Sequence, residues 1–307
     1  VKYLFGPVPS RRLGSSLGVD MVPPKVCSFD CIYCQLGRTT EKIVDRKEYV
    51  PVSGVLSEIK DFVESGQECD YITLSGSGEP TLNSGMGEII KGIKSLTVNP
   101  VAVLTNASLI TDSKVREELG LADLIVPSLD AATQLVFEKL NRPHPRIKVE
   151  DIIVGLTNFT RSFETKVWLE VMLVEGINDA ASELSELRHA IEAIRPDKVQ
   201  LNTVVRPPAE EYARPLTQKR LDDIAGILDA EVIADFSRRD VKAYKGGREE
   251  LIVNLLKRRP CTISDISSAL GFHENEVVKY VEVLGREGVI AGSITGNKKY
   301  FRYVGGL

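Results

Sequence analysis

Apolar side chains recur along this chain in two alternating patterns. Between positions 52 and 65, Val55, Leu56, Ile59, Phe62 and Val63 fall on one face at helical spacing. Comparable patterns predict helices over 86–96, 149–159, 183–194 and 217–228, with another begun by a Thr111 or Asp112 cap and ending near Gly120. Short runs of aliphatic residues alternate with these helices and read as buried strands over 70–75, 101–105, 123–129, 166–174, 198–205 and 231–236. A first strand is expected over 15–22, stopped by Pro23-Pro24, and the residues before it, with Gly6, Pro7 and Pro9, read as turn-rich. Strands joined by connections of helical length argue an α/β protein with a parallel sheet and helices outside it. About six such units are too few for a closed eight-fold barrel, so an open partial (β/α)6 barrel of TIM-like type is expected, with its chemistry at the carboxyl ends of the strands.

The alternation stops at Gly246-Gly247, which reads as a linker between a first domain, 1–245, and a second, 246–307. Helices over 249–257, 262–270 and from His273 or Glu274 to 284 come next, with Thr262 as a cap and Gly271 as a stop. Gly288-Val289-Ile290 and a run over 294–303 around Gly296-Asn297 then read as a hairpin. That order resembles a winged helix–turn–helix domain. The third helix, which would enter a major groove, carries Glu274, Glu276 and Glu282 against Lys279 and Arg286. Phosphate attraction needs a basic face, and Lys298, Lys299 and Arg302 supply only part of one, so duplex DNA is not the expected partner.

Composition narrows the picture modestly. A net charge of −4 over 307 residues argues against wholesale attachment to nucleic acid or anionic lipid. No apolar run is long enough to span a bilayer, no leader is expected at the start, and a reducing cytoplasm suits the cysteines. Three of the five cysteines, Cys27, Cys31 and Cys34, sit within one short loop, Lys25-Val26-Cys27-Ser28-Phe29-Asp30-Cys31-Ile32-Tyr33-Cys34. Thiolates are soft ligands that select iron–sulfur clusters, zinc or cuprous copper. A closed zinc site wants four ligands, whereas Cys69 and Cys261 are single and distant and the histidines are His144, His189 and His273. Three thiolates without an obvious fourth ligand suggest a cubane cluster with one iron left open.

The spacing of these cysteines, with aromatic Tyr33 before the last, resembles the signature of the radical S-adenosylmethionine superfamily. That resemblance implies a 4Fe–4S cluster on Cys27, Cys31 and Cys34, with S-adenosylmethionine on the open iron. Ser77-Gly78-Glu79-Pro80, directly after a predicted strand, is similar to the superfamily's Gly-Gly-Glu-Pro motif, with serine for the first glycine; there the motif holds the amino group of S-adenosylmethionine. The same resemblance implies cofactor contacts from Asn106, Ser128 and Asp130 at strand ends, from Ile177 beside the adenine, from Asn202, and from Tyr33 next to the cluster.

Other segments stay open between a role and a surface position. Arg11-Arg12 faces the cofactor mouth or an anionic substrate, or else solvent; Arg142 in Leu140-Asn141-Arg142-Pro143-His144-Pro145 faces either an anion or solvent, and Arg206-Pro207-Pro208 has the same character. Asn178-Asp179 suits either the adenine pocket or a helix N-cap. Phe5-Gly6-Pro7-Val8-Pro9-Ser10-Arg11-Arg12-Leu13-Gly14 is similar to iron–sulfur oxidoreductases grouped near the wyosine-forming transfer-RNA enzymes, although this chain lacks cysteines upstream of Cys27 for a second cluster. The expected activity is reductive cleavage of S-adenosylmethionine to a 5′-deoxyadenosyl radical that takes hydrogen from RNA, a peptide or a small molecule. A ferredoxin- or flavodoxin-type reductant is the implied partner, with transfer RNA one candidate substrate. The alternative is a redox-sensing regulator that binds nucleic acid through its tail.

Overall fold

The computed structural model describes residues 3–10, 12–233, 248–272 and 274–305. Strands β1 (Leu4–Ser10) and β2 (Gly14–Asp20) form an antiparallel hairpin. Two-residue strands β3 (Val26–Cys27) and β4 (Glu41–Lys42) then pair across the cysteine loop. The repeating part follows with α1 (Val52–Glu64), β5 (Tyr71–Ser75), a 3-10 turn at Pro80–Leu82, α2 (Met86–Leu96), β6 (Val101–Thr105) and α3 (Ser113–Leu119). It continues through β7 (Leu124–Pro127), α4 (Gln134–Asn141), α5 (Val149–Ser162), β8 (Lys166–Leu173), α6 (Ala181–Ile194), β9 (Lys198–Thr203), α7 (Gln218–Leu228) and β10 (Glu231–Val232). The tail contains α8 (Arg248–Arg258), α9 (Ile263–Leu270), α10 (Glu274–Arg286), β11 (Ile290–Thr295) and β12 (Lys298–Tyr303).

The main sheet has eight strands in the order β1-β2-β5-β6-β7-β8-β9-β10, and every neighbouring pair after β1·β2 is parallel. Among the described residues β1 and β10 do not pair, so the barrel is open, as the pattern predicts. Strand β8 displays the two-residue period that builds it. Val167, Leu169, Val171 and Leu173 are buried against the outer helices, while Glu170 and Met172 point into the barrel and reach its cleft. The barrel floor is filled by Leu13, Ala102, Leu124 and Val126 with Tyr71, Leu104 and Trp168 around them. A filled floor confines ligands to the carboxyl ends of the strands.

Three features depart from the sequence reading. The turn-rich start is strand β1, whose pairing with β2 shifts register between Phe5 and Val8. An edge strand tolerates the glycine and proline that would disrupt a central one. Helix α4 fills a stretch for which no element was expected; its Leu135 is exposed while Phe137 and Leu140 are buried, which blurs the periodicity. The helix over 183–194 begins earlier, at Ala181, with Ala180 rather than Asn178 or Asp179 at the N-cap.

The tail follows the expected order. Thr262 and Asp265 form a reciprocal capping box, and Gly271 ends α9 in the left-handed conformation at φ +67°. Its own apolar core, including Ile252, Leu256, Ile266, Val277, Val281 and Ile290, also takes in Val8 of β1. Arg258 joins the two parts, donating to Asp20 at 2.9 Å and to the Leu4 carbonyl at 3.3 Å while lying 4.2 Å above the Phe5 ring. Tyr300 donates to the Val205 carbonyl at 2.8 Å. Arg11, Gly246-Gly247 with the boundary at 245–246, residues 234–236 of the last expected strand, and His273 lie outside the described residues. No helix among the described residues is long and apolar enough to cross a membrane.

Candidate active site at the strand ends

The cysteine loop is clamped on two sides. On one, Lys25 N donates to the Ser77 carbonyl at 2.7 Å and Glu79 N donates to the Val26 carbonyl at 3.1 Å. This approach requires glycine at 78, where an added Cβ would lie 1.9 Å from the Val26 oxygen. On the other, Asp30 N and Ile32 N donate to the carbonyls of Asn141 and Leu140, both at 3.0 Å, at the end of α4. Within the loop, Cys34 N donates to the Cys31 carbonyl at 3.1 Å and Gly37 N to the Cys34 carbonyl at 3.0 Å.

All three loop cysteines line a cleft of about 450 Å³, a volume typical of small-molecule sites. Tyr33, Ser77, Gly78, Ser128 and Asn202 share its wall, so these expected residues are brought together from distant parts of the sequence. Glu79, Asn106, Asp130 and Ile177 stand behind the lining. Glu79 is only 1% exposed, and its carboxylate accepts from Thr81 N at 3.0 Å, the Thr81 and Thr105 hydroxyls at 2.6 Å each, and Asn106 N at 2.7 Å. It therefore ties the end of β5 to the end of β6. Asp130 accepts from Tyr33 Oη, from Asn141 Nδ2 at 2.6 Å and from Met172 N at 2.9 Å, holding the Tyr33 ring beside the loop. Ile177 packs in an apolar cluster with Ile32, Leu140 and Val174 next to Tyr33. Asn178 organises the turn after β8, donating to the carbonyls of Asp130 and Met172 at 2.8 Å each.

The far end of the cleft has a different lining. Arg12 pairs with Glu170, which also accepts from Asn202 Nδ2 at 3.1 Å, and Arg206, Arg258 and Arg259 complete the wall with Phe5, Val8 and Leu255. Arg12 and Arg206 thus take the cleft-facing option. Arg142 does not: its guanidinium donates to Glu210 at 2.7 Å and to Tyr212 Oη at 2.8 Å, outside the lining. Asn141, Arg258 and Arg259 were missed as site residues because their neighbours are remote in sequence, and Lys25 because nothing in the loop's sequence shows its ammonium turning back onto Cys34 and Gly37.

Burial and nearby charge favour the protonated thiols of Cys27 and Cys31. Desolvation, followed by the Glu79 charge, pushes the Cys27 thiol up to about 12, and desolvation with the Asp130 charge raises Cys31 well above the usual range. Burial raises Asp130 to about 6 against the bonds from Tyr33 and Asn141. Among the described residues no three His, Cys, Asp or Glu side chains converge on a single metal position. That geometry does not suit a closed zinc site, which needs convergent ligands about 2.3 Å from one ion. Three soft donors on one loop suit the irons of a cluster.

Comparison with known proteins places the family and the fold. The family model described as the radical SAM superfamily matches residues 21–188. A UPF0026 protein of Synechocystis is 40% identical over 205 residues, covering 66% of this chain and 76% of that protein. A Brachyspira hyodysenteriae protein named GTPase Obg is 35% identical over 298 residues, 95% of this chain but 44% of its own length, so the chain spans less than half of that relative. A probable dual-specificity RNA methyltransferase of Thermotoga maritima is 25% identical over 244 residues, covering 72% of this chain and 65% of that protein. In fold, the chain is similar to a radical SAM methyltransferase from Sphaerobacter thermophilus, with a TM-score of 0.55 at 18% identity, covering 73% of this chain and 67% of that one. The chain belongs to the radical SAM superfamily and, with its Synechocystis relative, to the UPF0026 proteins.

Proposed function

We propose that this chain is an enzyme that holds a 4Fe–4S cluster on Cys27, Cys31 and Cys34 and binds S-adenosylmethionine across the adjoining strand ends. The observation that carries this reading is the meeting of the three cysteines with the Ser77–Gly78 backbone on one cleft wall. When bound and reduced by one electron, cluster and cofactor together would supply a 5′-deoxyadenosyl radical able to take hydrogen from an unactivated position. The protein's part is to bind and orient. Ser77 and Gly78 would offer backbone to the cofactor, while Glu79 stiffens that turn from behind. Tyr33, steadied by Asp130, shields one side of the loop, and Ser128 and Asn202 offer hydrogen-bonding groups along the strand ends. A ferredoxin- or flavodoxin-type protein is the electron donor in this reading.

The substrate is the unassigned component, and RNA is the class a relative's name supplies. The sequence contains no Gly-x-x-x-x-Gly-Lys-Ser/Thr phosphate loop, so the GTPase name of another relative is not carried over. No observation favours the redox-sensing regulator: α10 is acidic at its start, and Glu276 there is engaged by Arg248. The decisive experiment is anaerobic reconstitution followed by dithionite and S-adenosylmethionine. Iron and sulfide retention with release of 5′-deoxyadenosine is expected. A loaded chain whose electron paramagnetic resonance (EPR) signal ignores S-adenosylmethionine, and which yields no 5′-deoxyadenosine with cell extract present, overturns the proposal. Deuterium transfer from labelled extract into 5′-deoxyadenosine would then identify the substrate.

A further inference from the structure

Each cysteine sulfur in the loop has a side-chain nitrogen donor within 3.8 Å. Asn106 Nδ2 lies 3.5 Å from Cys27 Sγ, Asn141 Nδ2 lies 3.4 Å from Cys31 Sγ, and Lys25 Nζ lies 3.8 Å from Cys34 Sγ. The first follows β6, the second ends α4, and the third directly precedes β3. We infer that Lys25, Asn106 and Asn141 form a three-point hydrogen-bond collar on the thiolates that sets the reduction potential of the cluster. This rests on the cluster reading above.

The donors are held in place independently of the sulfurs. Asn106 is fixed at its backbone by Glu79, at its oxygen by Ser108 N at 3.0 Å, and at its nitrogen by Ser28 Oγ at 2.8 Å. The inward-turned glutamate of the Ser77–Pro80 motif therefore acts on Cys27 through Asn106. Asn141 faces three acceptor atoms, Cys31 Sγ, Asp130 Oδ2 and Tyr33 Oη, with its Nδ2 group. Its Oδ1 is buried with no hydrogen-bond partner. The reversed amide would set that oxygen against the Asp130 carboxylate and the sulfur, so electrostatics selects the donor orientation despite the orphaned acceptor. Lys25 adopts φ +69°, a conformation L residues rarely take, and its ammonium is anchored on the Gly37 carbonyl.

The consequence follows from charge. Adding an electron increases negative charge on the sulfurs, and N–H donors stabilise that state more than the oxidised one. The collar thus raises the potential, opposing the buried carboxylates of Glu79 and Asp130, which stand near Cys27 and Cys31 and lower it. Ligand-orienting groups of this kind commonly tune metal centres.

The test is an EPR-monitored potentiometric titration of the anaerobically reconstituted full chain without S-adenosylmethionine. Lys25→Met, Asn106→Leu and Asn141→Leu are expected to retain iron and sulfide and to shift the midpoint negative. Each asparagine change is expected to alter the reduction equilibrium about tenfold, ~59 mV for one electron, and the loss of the lysine charge to alter it more. Lys25→Arg, which restores a cationic donor, should recover most of the shift. If an asparagine variant fails to fold, the Lys25 pair decides. Fully loaded variants with unmoved midpoints overturn the collar alone; a wild-type chain that takes up no iron and sulfide overturns the cluster reading and the collar with it.

Discussion

The two ends of the cleft are built in opposite ways. At the cysteine end, the ligands come from one short loop, and the turn that clasps it follows one strand later. Besides the Lys25 ammonium at Cys34, the charges near the sulfurs there are the carboxylates of Glu79 and Asp130, buried and saturated with donors. At the far end the wall is assembled from β1, the segment after β9 and α8, and Arg258 meets Leu4 across 254 positions of sequence. Its charges are Arg12, Arg206, Arg258 and Arg259, with Glu170 the carboxylate among the lining residues. The cysteine loop is thus encoded locally, whereas the far wall of the cleft depends on how remote segments pack. The same division explains why the superfamily reads clearly in the sequence and the lining of the far wall does not.

The sharpest way to break this contrast is Cys31→Ala, which should abolish iron and sulfide retention after anaerobic reconstitution; a variant that still loads fully would detach the cluster from the loop. Next in size is Arg258→Ala at the other end. Asp20 would lose its partner in a buried setting, a change expected to cost about 3–5 kcal/mol in urea unfolding while leaving cluster content intact. A cost below ~1 kcal/mol would mean that the tail is not tied to the barrel through this pair. Gly78→Ala probes the clasp itself. With the Val26 oxygen 1.9 Å from the new carbon, strain of about 1–3 kcal/mol and reduced iron retention are expected. Unchanged retention would show that the clasp is dispensable for the loop.

The smallest effect concerns a thiol outside both ends. Burial pushes Cys69 from 9.0 up to about 11, so at pH 8 the folded chain should present roughly a hundredfold less thiolate there than a free cysteine does. Mapping of iodoacetamide adducts by mass spectrometry checks this. The sign for stability follows: the folded chain keeps this proton between about pH 9 and 11 while the unfolded chain loses it, so this contribution is present below pH 9 and is lost as pH rises through 11. Rapid labelling of Cys69 at pH 8 would mean that this part of the core opens readily.

Much of the frame is visible in the sequence because its causes are local. Strand β8 declares itself by its apolar run, and helix α9 by a cap and a glycine stop. The cysteine spacing is legible because chelation requires ligands close together. Asn141 is a different case. Its importance arises from Cys31, 110 positions away, and from an amide orientation that exists only after α4 has docked on the loop. Glu79 is half legible: its motif marks the turn, but only packing reveals that its carboxylate faces inward toward β6 rather than the cleft.

An open sheet leaves its outermost strands with backbone amides and carbonyls that can recruit another chain. Strand β1 is one such border, and its Val8 is buried in the apolar core of the tail, with Phe5 packed beside it and under Arg258. The tail therefore covers the Phe5 and Val8 side chains of this border strand and takes up its Leu4 carbonyl. A chain shortened at residue 247 should lose solubility before it loses its fold, and an oligomer formed by it should grow from the β1 border.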